Sequence, residues 1–96
     1  MKLVMIAYNE AIDEAMAELL TTVGLQNYTK WTKVLGRGSS SGPHLDTHVW
    51  PKANNVLAVA VQDDHVGPLL DGVRAHRQSL GTEGVKAFVL PVEAVT

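Results

Sequence analysis

The chain has 96 residues, 46% of them hydrophobic and 19% charged, with a formal net charge of −2 and no cysteine. A chain of this length forms one domain with a modest core, and the composition suits a compact fold and excludes a disordered one. The slightly acidic balance excludes a general attraction to nucleic acid or to an anionic membrane, and the missing thiols exclude a disulfide framework or a thiolate metal cage.

Residues 2–8, KLVMIAY, form a short apolar run rich in strand formers. This opening has neither the h-region nor the cleavage site of a signal peptide, and no run approaches the roughly 18 apolar residues that mark a membrane-spanning helix. A soluble, cytoplasmic protein is therefore expected. Asn9 offers an N-cap, and Glu10, Asp13 and Glu14 place negative charge at a helix N-terminus. Ile12, Ala15, Met16, Leu19, Leu20 and Val23 follow at helical spacing, and Gly24 offers a stop. A second strand is predicted between Asn27 and Leu35, half exposed, with Lys30 and Thr32 alternating against Trp31 and Leu35.

The third strand is predicted over residues 55–62, NVLAVAVQ. Asp63 and Asp64 can cap a second helix with the stripe Val66, Leu69, Leu70, Val73 and Leu80. Pro68 belongs in a first turn, so this helix is expected to begin near residue 64 or 65. Gly81 ends it, and residues 85–92, VKAFVLPV, form the fourth strand, with Pro91 near its end or on an edge. The order βαββαβ predicts an α+β, ferredoxin-like fold: one antiparallel sheet with both helices on one face. Leu3, Met5 and Ala7 alternate with Val4, Ile6 and Tyr8, and Val56, Ala58 and Ala60 with Leu57, Val59 and Val61. Both sheet faces are thus apolar while two helices cover one, which predicts a homo-oligomer packed through the other.

The connection over residues 36–54 is long for a hairpin, whose loops usually hold about two to five residues. Gly36, Gly38 and Gly42 allow backbone N–H groups to turn toward an anion, and Arg37 and Ser39–Ser41 add donors. The spacing matches neither phosphate-loop fingerprint, so a solvated connection stands beside the anion site as a reading. His44, Asp46 and His48 alternate, and in extended backbone they share one face, a ligand set suited to a divalent metal. Polar residues of this kind also belong in any exposed loop. Gly81 and Gly84 flank an acidic turn, and Lys86, beginning the final strand behind it, can reach a phosphate or stand as an ordinary exposed strand-edge lysine. No nucleophile and base stand at a motif spacing, so no enzyme is expected.

Read in order, the chain resembles the PII signalling proteins and their wider superfamily. The resemblance rests on the element order, on VLGRG where that family enters its T-loop, on WPKANNVLAVAVQDDHVGPLLDGV as the return strand and second helix, and on GVKAFVLPVEAV as the B-loop and last strand. It implies a single domain over residues 1–96, with residues 36–54 as the T-loop equivalent. It further implies a homotrimer binding a small effector such as ATP or ADP between subunits, and acting through that loop on a transporter, efflux pump or enzyme. By position, Gly36, Arg37 and Gly38 would form the T-loop base, Gly84 would shape the B-loop, and Lys86 would approach the phosphates. The chain departs from the family in a short T-loop without tyrosine and in Glu83, Gly84 and Val85 where Gly-Asp-Gly usually precedes the lysine. A metal-binding or metal-tolerance trimer using His44, Asp46 and His48 is the alternative.

Overall fold

The computed structural model describes residues 1–36, 53–80 and 84–96. The elements are β1 (Lys2–Asn9), a 3-10 turn (Glu10–Ile12), α1 (Asp13–Val23), β2 (Thr29–Val34), β3 (Asn54–Val61), α2 (Asp63–Leu80) and β4 (Val85–Pro91). The strands lie in the order β2-β3-β1-β4, each pair antiparallel. This is the expected ferredoxin-like arrangement, with β2 and β4 as edges. No helix among the described residues is long and apolar enough to cross a membrane.

The two-residue period of each strand sorts its side chains between the faces. On β1, Val4, Ile6 and Tyr8 are buried with Leu57, Val59 and Val61 of β3 and Val85 of β4. Met16 and Leu20 of α1 and Leu69 and Val73 of α2 close this core from above, with Ile12, Leu19, Val23 and Val66 at its margin. Burial of each such side chain stabilises the fold by about 1.5–3 kcal/mol before entropy is counted. Leu70, expected in the α2 stripe, is only partly buried.

Both ends of α1 follow local chemistry. The Asn9 side chain accepts the Ala11 N–H at 2.9 Å, which caps the short 3-10 turn and delays α1 until Asp13. Gly24 ends the helix at φ +89, a left-handed conformation that glycine adopts without steric cost, and its N–H reaches the carbonyls of Leu20 and Thr21. On α2 the start is Asp63, earlier than Pro68 suggests, so the proline stands in the second turn. It deprives the Asp64 carbonyl of a helical donor, and Asp64, Gly67 and Pro68 lie on the exposed side, where water can serve instead.

The helices meet where Gly72 of α2 faces Leu19 of α1. A Cβ on Gly72 would stand 2.2 Å from Leu19 Cδ1 and 3.1 Å from its Cγ, whereas Gly67 has nothing within 4 Å of that position. The same substitution is therefore expected to act with opposite signs. Gly67→Ala gains helix propensity, offset in part by its Cβ crowding Pro68, for a net rise in unfolding free energy of about 0.5 kcal/mol. Gly72→Ala gains the same propensity but displaces Leu19 from its packing, for a net loss of about 1 kcal/mol. Urea denaturation of the two variants measures both; equal shifts would contradict the close approach.

β2 differs from expectation. Its residues are exposed apart from Val34, which is half-buried. Trp31 pairs with Val56 and Val34 with Asn54, so Thr32 and Lys33 together oppose Asn55 in a β-bulge. Lys33 takes φ 58, a left-handed conformation that costs a non-glycine residue roughly 1–2 kcal/mol. Lys30 pairs with the buried Leu57 and so faces the helix layer, while Trp31 faces away from it. The second face of the sheet carries Leu3, Met5, Ala7, Val56 and Ala58 with Trp31 and Phe88 at 49% and 52% exposure, and no described element covers it.

Candidate functional site

One end of the sheet gathers the starts and ends of all four strands. Asn9 pairs with Asn54, Val34 pairs with Asn54 from the other side, and the Asn9 N–H donates to the Gly84 carbonyl at 2.7 Å. The Glu10 N–H donates to the Ala53 carbonyl at 3.2 Å, which holds the return of the chain against the 3-10 turn. Gly36 leaves this end from β2 and Gly84 enters it at β4. They stand about three strand spacings apart, roughly 14 Å.

Gly84 is required by its backbone, whereas a side chain at Gly36 would need the Asn54 amide to swing aside. A Cβ on Gly36 would stand 2.7 Å from the Asn54 side-chain nitrogen, and Gly84 has φ +110. Lys86 follows Gly84 on β4, exposed and opposite Ala7, which places it on the uncovered apolar face. Its ammonium lies 5.8 Å from the centroid of the Phe88 ring, within cation–π range. Lys86 is thus, as expected, a residue of the last strand, and it stands at the margin of an apolar surface.

Beside this end lies a polar cluster under the helix layer. The Tyr8 hydroxyl donates to Asp13 Oδ1 at 2.5 Å, and Asn55 Nδ2 donates to the same oxygen at 3.0 Å. Lys30 Nζ donates to Oδ2 at 3.0 Å and to Oδ1 at 3.2 Å. One carboxylate at the first residue of α1 therefore ties together β1, β2 and β3. The hydrogen bonds from Tyr8 and then Lys30 hold the Asp13 carboxyl below its ordinary range, against a smaller opposing effect of burial. Burial, aided by the bond to Asp13, pushes the Tyr8 phenol above its ordinary range. Tyr8 is protonated at any physiological pH and donates its proton to Asp13.

The family model described as nitrogen regulatory protein P-II matches residues 1–96. The chain belongs to the P-II family. A search of curated protein sequences finds no significant match. Among solved structures, CPII, a nitrogen regulatory PII-like protein from Thiomonas intermedia K12 bound to ADP, AMP and bicarbonate, superimposes with a TM-score of 0.77 at 24% identity, covering 99% of this chain and 92% of that one. CPII bound to ADP and bicarbonate gives 0.69 at 27% identity, covering 97% and 88%. A PII-like signalling protein from Thermus thermophilus gives 0.65 at 21% identity, covering 92% and 82%, a likeness of fold.

In this P-II protein Gly36 and Gly84 lie at the same end of the sheet but on its opposite edges, with Lys86 a short step along β4. Arg37, Gly38, His44, Asp46 and His48 lie outside the described residues. Among the described residues no group of three or more His, Asp or Glu is placed to hold a metal ion. A shallow hollow lined by Ala17, Glu18, Thr21 and Thr22 of α1 includes none of the candidate residues. The cluster around Asp13 escapes sequence reasoning, because Asp13 and Asn55 are separated by 42 positions. A faint signal exists in Tyr8, a hydroxyl on the buried face of β1 that must find an acceptor.

Proposed function

We propose that this P-II regulatory protein is a non-enzymatic homotrimer that binds an adenine nucleotide in the clefts between subunits. Occupancy of the clefts is reported to a partner protein through the loop over residues 36–54. The observation that carries this reading is the place of Lys86, a cation at the edge of an apolar sheet face close to the Gly84 turn. A neighbouring subunit packed on that face would leave Lys86 at the seam. An ammonium partly withdrawn from water needs an anion, and a nucleotide phosphate supplies one. Gly36 and Gly84 are too far apart within one protomer to grip a single phosphate, which favours a site completed by a second copy. The Thiomonas CPII structures hold ADP with bicarbonate, and that pairing is the first ligand set to test.

Calorimetric titration with ADP, with and without bicarbonate, is expected to give saturable binding with a Kd below about 1 mM. Lys86→Ala is expected to weaken ADP at least about tenfold, the loss of one charge-assisted contact. No heat at millimolar ADP in either buffer would refute the nucleotide reading.

A further inference from the structure

We infer that Arg77, on the last turns of α2, is the positioning residue that holds Lys86 in place for the phosphate. The inference rests on the reading of Lys86 given above. Arg77 Nε donates to the Val85 carbonyl at 3.3 Å. That carbonyl has no partner on β1. The Asn9 N–H bonds the Gly84 carbonyl, so Asn9 and Gly84 face each other as a hydrogen-bonded pair. In an antiparallel ladder such pairs alternate with non-bonded ones. Tyr8 and Val85 are therefore a non-bonded pair, and Ala7 and Lys86 a bonded one.

The Val85 carbonyl consequently points to the open edge of β4, where no further strand accepts or donates. Val85 is itself buried, so an unpaired carbonyl there would carry a penalty. Arg77 meets it from the helix layer. The backbone entering Lys86 is then fixed three ways: by the Asn9 bond to Gly84, by the left-handed φ of Gly84, and by Arg77 on Val85. The first two act on the residue before Val85, and only Arg77 ties β4 to α2 at this point among the hydrogen bonds of the described residues. Loss of that tie leaves Lys86 held at this edge by its ladder bonds to Ala7 alone, so the strand frays at Val85 and Lys86 while the rest of the sheet keeps its pairing.

The test uses Arg77→Met, which keeps the aliphatic stem without the donor, and Arg77→Lys, which keeps the charge. Amide exchange of Lys86 in the ligand-free protein is read beside the affinities for ADP and for adenosine. Arg77→Met is expected to speed Lys86 exchange and to weaken ADP about fivefold while adenosine binding is unchanged. Unchanged exchange in Arg77→Met would overturn the inference even if the wild type binds no ADP, so its failure is distinct from that of the nucleotide reading. Equal weakening of ADP and adenosine would also overturn it, since that marks general structural damage. So would Arg77→Lys if it restored ADP affinity without restoring exchange, which would make Arg77 a direct phosphate ligand.

Discussion

Asp13→Ala is expected to lower the unfolding free energy by about 2–3 kcal/mol, more than any other polar substitution among the described residues. The cost comes from what Asp13 serves. Tyr8 and Asn55 are 1% and 5% exposed, and both lose their acceptor in a place water does not readily reach. The ion pair with Lys30 adds little, because its two side chains are 32% and 37% exposed and screened by solvent. Lys30→Met should accordingly cost no more than about 1 kcal/mol. Urea titration of the two variants separates the contributions, and equal losses would show that the ion pair, not the buried donors, dominates.

Asp13 also sets an acid limb. Its folded carboxyl titrates below the unfolded value, so its contribution is complete above the unfolded pKa of about 4 and is lost as the pH falls through the lower folded value. Wild-type stability should therefore fall more steeply than that of Asp13→Asn below about pH 4. Parallel profiles for the two proteins would contradict the hydrogen bonds drawn to Asp13.

Ala58→Glu is expected to convert the proposed trimer into monomers without unfolding the protomer. Ala58 sits mid-sheet on the uncovered face, between Met5 of β1 and Thr29 of β2. In a lone protomer the glutamate reaches into water at little cost. Against a packed apolar sheet it buries an unpaired carboxylate, which costs several kcal/mol at each interface. Native mass spectrometry is expected to show a wild-type trimer and a monomeric variant with an unchanged far-ultraviolet spectrum. A monomeric wild type, or a variant that stays trimeric, would rule out assembly through this face.

Much of this fold was legible because each element announces its own period and stops. Val4, Ile6 and Tyr8 read as one face, Met16 and Leu20 as one stripe, and Gly24 as an end, all from neighbours within a few positions. The bulge at Thr32 and Lys33 was not legible. Strand alternation predicts that Trp31 and Leu35 share a face, whereas one unpaired position at Lys33 breaks that parity. The glycines of the candidate site were visible by type, yet their shared place at one sheet end depends on pairing of Asn9 with Asn54 across the whole loop. Arg77 gave no local sign at all, since it spaces as an ordinary polar residue of α2 and its partner is a carbonyl. Asp13 looked like a charge placed for the helix dipole, and only the return of β2 and β3 makes it a shared acceptor.

The bulge has a practical bearing on chimeras. Because β2 spends two residues against the single Asn55, the chain enters the 36–54 connection with its inside and outside exchanged relative to Trp31. A loop transplanted from another P-II protein must be phased from the Val34–Asn54 pair. Counted instead from Trp31, the residues leading out of β2 would be assigned to the wrong faces of the sheet, and the graft would be joined one position out of phase.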